Sequence, residues 1–263
     1  MDKIAEFLPS LLKKAGKIML EAHEIGSSVS SKSGNANFVT EFDTKVQDFL
    51  ISSIKKEIPY ATFMAEEQEN DAAVINNQCC FVIDPIDGTT NFIYNYHHSC
   101  ISVAVISYGE PVVGAVYDPY LDELFMAQKG KGASLNGAPM QVSQTPLSGA
   151  LVAFGSAPYY RNELGDLTMG LLKELYMNAA DVRRCGSAAL DLAYLAAGRN
   201  DVFFEARLSP WDYAVGYLLI TEAGGIISQI NGDPVNFSAP QSILASNAVA
   251  YDELLAIAKK HIQ

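Results

Sequence analysis

Residues 81 to 92 read Phe-Val-Ile-Asp-Pro-Ile-Asp-Gly-Thr-Thr-Asn-Phe, and the prediction of the fold starts from this stretch. The apolar run from Cys80 to Ile83 is rich in β-forming residues and predicts a short buried strand. Because Pro85 cannot donate a hydrogen bond to a neighbouring strand, we expect the strand to end there. Gly88 permits a tight turn, and Thr89 to Asn91 offer N-caps for a helix that follows.

Two carboxylates stand at the end of this predicted strand. Asp84 and Asp87 come directly before the expected helix start at Thr89. Carboxylate oxygens are preferred ligands of Mg²⁺, and the free N–H groups at the start of a helix bind anions. The stretch therefore predicts a cation held against a phosphate-like anion.

Composition narrows the class of protein and its partners. The chain has 263 residues, of which 49% are hydrophobic, so it can bury a sizeable core as one large α/β domain or as two packed halves. Its formal net charge of −12 disfavours nucleic acid and anionic membranes as partners. An acidic protein that binds a phosphate ester needs a local positive charge, which a metal ion supplies.

The cysteines and the N-terminus favour a cytoplasmic protein. None of the cysteines has the CxxC spacing of a redox or metal motif, so we expect free, buried thiols in a reducing compartment; they are Cys79, Cys80, Cys100 and Cys185. The N-terminus lacks the pattern of a secretory signal. No apolar run approaches the roughly 20 residues that a membrane helix requires.

The histidines are predicted to have structural or surface roles. His97 and His98 are adjacent, so they share neither one face of a strand nor the four-residue spacing that places two ligands on one side of a helix. No cysteine or histidine follows at the spacing of a zinc finger. The spacing therefore gives no indication of zinc.

Residues 1 to 145 are predicted to form two helices and then a mainly antiparallel sheet. Helical periodicity predicts a first helix over Ile4 to Ala22 and a second from Asp43 or Thr44 to Ile58. Between them, Gly26 to Asn37 is rich in Ser, Gly and Asn and is typical of an exposed loop. Strands are predicted between Phe81 and Val142.

Residues 146 to 263 are predicted to alternate between helices and strands. The order β-α-β-α-β favours a sheet covered by helices. The sequence contains neither a repeat nor a linker, so we expect residues 1 to 263 to form a single domain with two intimately packed halves.

Further acidic residues lie at the ends of predicted elements. Glu66 and Glu67 follow a short predicted strand, and Asp212 follows Ser209 and Pro210. Taken alone, each has an ordinary structural explanation. Asp212 is typical of a capping box, and Glu66 and Glu67 are typical of a solvated loop. Asp84 and Asp87 are typical of a turn. Taken together, these residues supply the oxygen ligands that a Mg²⁺ site needs.

The whole pattern resembles a known family. The motif Asp-Pro-Ile-Asp-Gly-Thr-Thr-Asn at residues 84 to 91, with Glu66-Glu67 before it and Trp211-Asp212 after it, is similar to the inositol monophosphatase family of Mg²⁺-dependent phosphatases. The match in order and spacing covers nearly the whole chain. The resemblance implies a layered α-β-α-β-α sandwich of the inositol monophosphatase and fructose-1,6-bisphosphatase type, and a homodimer.

The resemblance also implies the catalytic and metal-binding residues. Two or three Mg²⁺ ions would be bound by the side chains of Glu66, Asp84, Asp87 and Asp212 and by the Ile86 carbonyl. The catalytic residues would be Thr89, Asp43 and Glu66, with Thr89 activating the attacking water and Asp43 helping it. Glu67 would support a metal ligand.

The substrate-binding residues implied by the resemblance fall into two groups. Backbone N–H groups of Gly88 and Thr89 would hold the phosphate, and residues 186 to 188 together with Glu205 would contact the alcohol. The full implied set is Gly88, Thr89, Thr90, Gly186, Ser187, Ala188, Glu205 and Asp212.

The implied activity is hydrolysis of a small sugar or polyol monophosphate by a metal-activated water, with inositol 1-phosphate as the first candidate substrate. Related enzymes share the metal core, so fructose 1,6-bisphosphate, histidinol phosphate, NADP and 3′-phosphoadenosine nucleotides stay open as alternatives. The ending Thr-Thr-Asn-Phe favours the inositol type. A regulator that keeps the fold without catalysis is an alternative of a different class, which the intact ligand set disfavours.

Overall fold

The computed structural model describes residues 1–21, 29–33 and 37–262, and its elements are numbered in chain order. The helices are α1 (Asp2–Leu20), α2 (Glu41–Glu57), α3 (Thr89–Ile93), α4 (Arg161–Asn178), α5 (Ala188–Ala196), α6 (Pro210–Glu222) and α7 (Tyr251–Ala258). The strands are β1 (Val29–Ser33), β2 (Asn37–Thr40), β3 (Thr62–Ala65), β4 (Cys80–Asp87), β5 (Cys100–Ser107), β6 (Glu110–Asp118), β7 (Glu123–Gln128), β8 (Ala133–Leu135), β9 (Ala138–Met140), β10 (Leu151–Phe154), β11 (Asp181–Arg183), β12 (Val202–Leu208), β13 (Ile226–Ser228) and β14 (Gln241–Ser246).

Two larger sheets organise the chain. The first has seven strands in the order β3-β4-β5-β6-β7-β8-β9, and only the β3–β4 pair is parallel. The second has five strands in the order β11-β10-β12-β14-β13 and is mixed. Asn136 and Gly137 form the hairpin turn between β8 and β9, with φ of +49° and +81°, as a type I′ turn requires.

The burial pattern of the strands explains the layers. In β5, Val103 and Val105 pack in the core that contains α1 and α2, while Ala104 and Ile106 pack in the core that contains α5 and α6. Side chains alternate between the two faces of a strand, so a strand that is apolar throughout needs helices on both sides. Helices α4 and α7 share a third core with the other face of the second sheet. The predicted α-β-α-β-α sandwich is confirmed.

Strand β4 does not end at Pro85, so this part of the prediction was wrong. Between Asp84 and Asp87, β4 advances three residues while its antiparallel partner β5 advances two, from Ser102 to Cys100. The extra residue is a β-bulge, and a bulge accommodates proline because a ladder hydrogen bond is already missing there. Without the bulge, residues three apart would point to opposite faces; with it, both aspartates face the same site.

Other boundaries also differ from the prediction. Helix α3 has Gly88 as its N-cap residue, with φ of +87°, and not Thr89, Thr90 or Asn91. Helix α2 begins at Glu41, and β1 occupies Val29–Ser33, where a loop was expected; residues 22–28 and 34–36 lie outside the described part. Within the described ranges β1 pairs with β2, and its Ser-rich composition did not predict this pairing.

The middle core joins both halves of the chain. It contains side chains from Met64 in the first half to Ala245 in the second, packed around α5 and α6. That residues 1 to 263 form one cooperative domain stays a prediction. Among the residues that the structure describes, none of the helices combines the length and the apolarity needed to cross a membrane.

Candidate active site

A cavity of 340 Å³ lies where the end of β4 and the beginning of α3 meet the starts of α5 and α6. Most of the residues that the sequence indicated line it: Glu66, Asp84, Ile86, Asp87, Gly88, Thr89, Thr90, Gly186, Ser187, Ala188, Glu205 and Asp212. Asp43 reaches the cavity through its contact with Thr89. The fold thus brings together residues that the sequence distributes over two halves.

Three carboxylates form the centre of the cavity, and we call Asp84, Asp87 and Asp212 the carboxylate trio. One oxygen from each lies within 4.8 Å of the other two. Burial, and then the negative charges of Glu66 and Asp87, raise the pKa of Asp84 well above its usual range. Burial and the charges of Asp87 and Glu66 raise the pKa of Asp212 in the same way. Such a set of clustered oxygen donors lacks a positive charge and fits a Mg²⁺ ion.

Asp87 is held by the start of α5. Its Oδ2 accepts hydrogen bonds from the Ser187 hydroxyl and, at 2.8 Å, from the backbone N–H of Ala189. Ser187 is also the N-cap residue of α5. The resemblance implied that Ser187 contacts the alcohol, whereas its side chain here positions a carboxylate of the trio.

Asp212 caps α6 and also belongs to the carboxylate trio. Its Oδ2 accepts a 2.7 Å hydrogen bond from the backbone N–H of Ser209, completing the capping box that the sequence indicated. This bond engages one of its two carboxylate oxygens. The capping interpretation and the metal interpretation of Asp212 are therefore compatible, because the start of α6 faces the cavity.

Thr89 lies between two oxygen acceptors. Its Oγ1 is 3.1 Å from the Ile86 carbonyl oxygen and 3.4 Å from Asp43 Oδ1. A hydroxyl has one proton, so it donates to one of these acceptors at a time and keeps lone pairs for a third partner. Asp43 is fully buried on α2, so this pair links α2 to the start of α3.

Two residues of the opening motif join the halves of the chain at short range. Gly88 lies so close to the neighbouring backbone that a Cβ there would be 3.0 Å from the His98 carbonyl oxygen and 3.2 Å from the Gly186 carbonyl oxygen of the second half. The Asn91 side-chain nitrogen donates to the carbonyl oxygens of His98, at 2.7 Å, and Cys185, at 2.9 Å. The motif therefore fixes the turn before α5 as well as the carboxylates.

Glu205 forms the far wall of the cavity. It is buried, its Oε1 accepts a 2.9 Å hydrogen bond from the Ala157 N–H, and burial raises its pKa to about 7. A Cβ at Gly155 would lie only 1.8 Å from Glu205 Oε2, so this position has to be glycine for the carboxylate to occupy its place.

Several residues that line the cavity were not indicated by the sequence analysis. Arg184 and Arg207 bring positive charge, and the Arg207 guanidinium lies 4.6 Å from the centre of the Tyr160 ring. Asp191, on α5, also lines the cavity. Arg184 could have been found from its place just before the Gly186-Ser187 turn, but the other residues depend on how the second sheet packs.

The fold and the site define a class: layered α-β-α-β-α proteins with a carboxylate-lined cavity between their two halves. The family model for the inositol monophosphatase family matches residues 1–263, and the chain belongs to this family.

Individual relatives agree with this assignment. Nus factor SuhB of Escherichia coli is 40% identical over 246 residues, covering 93% of this chain and 91% of the relative. Inositol-1-monophosphatase of Synechocystis is 38% identical over 227 residues, covering 86% and 78%. The solved structure of an IMPase from Thermotoga maritima has a TM-score of 0.90 and 32% identity, covering 100% of this chain and 98% of that one.

Proposed function

We propose that this chain is a Mg²⁺-dependent phosphatase of sugar or polyol monophosphates, with inositol 1-phosphate as the first candidate substrate. The carboxylate trio carries the proposal, because three acidic side chains with raised pKa values in one cavity form a site that a divalent cation stabilises. The relative named Inositol-1-monophosphatase supports the choice of substrate.

In this proposal the trio, with Glu66 and the Ile86 carbonyl, holds two or three Mg²⁺ ions. When bound, Mg²⁺ neutralises the charge of the phosphate dianion and lowers the pKa of a coordinated water. Ser187 and Ala189 keep Asp87 in place, and the backbone bond from Ser209 keeps Asp212 in place. The protein thus contributes a ligand set whose geometry exists before the substrate arrives.

Thr89 is proposed to orient the attacking water. Its proton is donated to Ile86 O or Asp43 Oδ1, so an oxygen lone pair can accept a hydrogen bond from the water. The water oxygen then forms a bond to phosphorus while the ester P–O bond breaks, and the departing alcohol takes up a proton. Backbone N–H groups of Gly88 and Thr89 are proposed to bind the phosphate.

The residues at the far wall of the cavity favour a substrate whose alcohol part carries several hydroxyl groups. The Glu205 carboxylate accepts hydrogen bonds from hydroxyls, and Arg184 and Arg207 donate them. The same two arginines also suit a second phosphate, so a bisphosphate or a nucleotide is the alternative within this chemistry.

A panel of phosphate esters at fixed Mg²⁺ tests the proposal. The panel includes inositol 1-phosphate, fructose 1,6-bisphosphate, histidinol phosphate, NADP and a 3′-phosphoadenosine nucleotide, and initial rates are compared for the native chain and Arg207→Met. We expect the native chain to have its highest kcat/KM with inositol 1-phosphate. The Arg207→Met substitution should lower kcat/KM less for inositol 1-phosphate than for the esters with a second phosphate. A preference for one of the doubly phosphorylated esters would overturn the substrate assignment.

The reaction path has its own test. Hydrolysis in water enriched in oxygen-18 should place one labelled oxygen in the released phosphate, and no phosphorylated protein should accumulate. A phosphoenzyme trapped during turnover would rule out direct attack by water.

A regulatory role is the second candidate, because the relative at 40% identity is named a Nus factor. The presence of all the proposed ligand side chains favours catalysis. If the folded protein binds Mg²⁺ yet hydrolyses no ester of the panel, the regulatory candidate replaces the enzymatic one.

We also propose that the chain forms a homodimer, as the family resemblance implies. Helix α4 leaves three large apolar side chains exposed at positions that share one helical face: Met169, Tyr176 and Met177. Light scattering after size-exclusion chromatography measures the mass directly. A monomer at micromolar concentration would contradict the dimer.

A further inference from the structure

A second group of metal-ligating side chains lies beside the cavity, and we call it the His98 cluster. It consists of His98, Cys185 and Asp191, and one donor atom from each lies within 4.8 Å of the other two. None of the three belongs to the carboxylate trio. The cluster offers a nitrogen, a sulfur and an oxygen, whereas the trio offers only oxygens.

The fold holds the three residues together by specific contacts. Asn91 donates from one side-chain nitrogen to the backbone carbonyls of both His98 and Cys185, which fixes these two segments side by side. Asp191 lies one helical turn into α5, where its backbone N–H donates to the Ser187 carbonyl. The geometry of the cluster is therefore set by the same motif that builds the neighbouring site.

Two polar atoms of the cluster are buried and have no hydrogen-bond partner among the residues that the structure describes. They are His98 Nε2 and Asp191 Oδ1, and the Asp191 residue is only 2% exposed. Leaving such atoms without a partner costs about 1–3 kcal/mol each, so buried polar groups nearly always have one. An imidazole nitrogen and a carboxylate oxygen that both lack a partner and lie near a thiol would share a cation as their common partner.

We propose that His98, Cys185 and Asp191 bind one divalent cation of the zinc class, at a site separate from the carboxylate trio. Thiolate and imidazole ligands favour Zn²⁺ over Mg²⁺, which takes oxygen ligands. A thiolate and a carboxylate together balance the charge of a divalent ion. On binding, the thiol proton leaves to the solvent as the metal–sulfur bond forms.

The distances are compatible with such a site. Zinc bonds of about 2.0–2.3 Å place tetrahedral donor atoms roughly 3.3–3.8 Å apart. The donor atoms lie within 4.8 Å of one another, so they have to approach by about 1 Å or more where a pair lies at this limit. Three protein ligands leave the fourth position to water, on the side where Asp191 lines the cavity.

Binding of a cation by the His98 cluster has to displace the proton of the Cys185 thiol. Burial raises the pKa of Cys185 to about 12, and the Asp191 carboxylate adds to the effect, so the thiol is protonated at neutral pH. A nucleophile and a metal ligand both need the thiolate, which forms here when a bound divalent cation displaces the proton. Burial lowers the pKa of His98, which keeps the imidazole neutral and able to coordinate.

Spacing along the chain had suggested that the histidines have no zinc partner. That reasoning considered ligands close in sequence, as in a zinc finger. The partner proposed here, Cys185, comes from the other half of the chain and reaches His98 only through the packing of α5 against the motif.

Titration with Co²⁺ tests the proposal, because cobalt bound to a thiolate gives a sulfur-to-metal charge-transfer absorption that oxygen ligands do not give. The full chain, with reduced thiols and saturating Mg²⁺, should develop this absorption up to one equivalent of Co²⁺, and Zn²⁺ should displace it. Cys185→Ala should abolish it. Cys79→Ala is the matched control, since Cys79 is a buried thiol outside the cavity, and should keep it.

His98→Gln and Asp191→Asn show whether the whole cluster binds. Each substitution should weaken Co²⁺ binding at least about tenfold, and circular dichroism should show that each variant is folded. These two variants also test the proposal if Cys185→Ala folds poorly. The proposal is overturned if the native chain gives no thiolate band, if the band persists in Cys185→Ala, or if His98→Gln binds Co²⁺ as tightly as the native chain. None of these readouts depends on phosphatase activity, so they stand apart from the proposed function.

Discussion

The Asp87 carboxylate accepts a 2.8 Å hydrogen bond from the backbone N–H of Ala189. Asp87 ends β4 in the first half of the chain, and Ala189 lies in the first turn of α5 in the second half. One proposed metal ligand thus also satisfies a backbone donor at the start of a helix, where a negative charge is stabilised. The packing of the two halves against each other therefore also positions this carboxylate.

The role of the Ser187 hydroxyl in positioning Asp87 can be tested by measuring how much Mg²⁺ the activity requires. Ser187→Ala removes the second hydrogen bond to Asp87, so the Mg²⁺ concentration for half-maximal activity should rise about 10- to 100-fold. Loss of the α5 cap should cost about 1 kcal/mol of the free energy of unfolding. Ser246→Ala is the control, because Ser246 is buried outside the cavity. An unchanged Mg²⁺ requirement in Ser187→Ala would contradict its positioning role.

Substitution by asparagine should affect activity at Asp84 and stability at Asp201. Asp84→Asn removes a carboxylate whose pKa is raised by burial and repulsion, so activity should fall about 100-fold or more while stability in EDTA is kept or improved. Asp201 accepts a 2.7 Å hydrogen bond from the Leu151 N–H, so Asp201→Asn should lower the melting temperature and leave turnover per folded molecule near normal. Near-normal turnover of Asp84→Asn in Mg²⁺ would disprove its assignment as a ligand.

Replacement of Thr89 should affect turnover more than substrate affinity. Thr89→Ala should lower kcat with little change in KM, because the proposed contact is to the attacking water and not to the substrate. Thr89→Ser keeps the hydroxyl and should restore most of the rate. Steady-state kinetics of both variants measure the split, and equal defects in the two variants would show that the methyl group matters and the hydroxyl does not.

The stabilisation by Mg²⁺ should increase with pH. The folded-state pKa values of Asp84 and Asp212 are raised, and that of Glu205 lies at about 7, so the metal-free folded protein holds protons that the unfolded chain has released. These groups therefore stabilise the metal-free folded protein at pH values below their pKa in the unfolded chain, which is near 4. This stabilisation is lost as the pH rises through their pKa values in the folded protein.

Mg²⁺ competes with these protons, so the gain in melting temperature on adding Mg²⁺ should be larger at pH 8 than at pH 5. Thermal melts with Mg²⁺ or EDTA at both pH values measure the difference, and EDTA should remove activity reversibly. Asp84→Asn should reduce the gain at both pH values. A gain that is the same at pH 5 and pH 8 in the native chain would contradict the proposed linkage.

A single methyl group at Gly155 should disturb the substrate end of the cavity. Gly155→Ala would place a Cβ against the Glu205 carboxylate, which has to move, so KM should rise more than kcat falls. Gly165→Ala is the control, since Gly165 lies in α4 with open space around it and should gain up to about 1 kcal/mol in stability. If both variants have native KM values, Glu205 does not contact the substrate.

Local sequence was sufficient for the chemical content of the site and for most elements of the fold. Apolar runs and their periods predicted most of the strands and helices, because burial on one or both faces is a property of a few consecutive residues. The number and order of the layers came from the family resemblance. The motif around Asp84 and Asp87, with Asp212 after a helix cap, identified the family and supplied the oxygen ligands that we propose. These features depend on residue type and short spacing, which the sequence contains in full.

Only the tertiary structure decided how those residues meet. The β-bulge at Pro85, which turns Asp84 and Asp87 to one side, depends on the register of β4 against β5, and that register is a property of the pair of strands. The approach of Cys185 to His98 depends on two carbonyls sharing the Asn91 amide. Local propensity extends over a few residues, whereas these contacts join segments that are distant in sequence, so strand pairing and tertiary hydrogen bonds determine them.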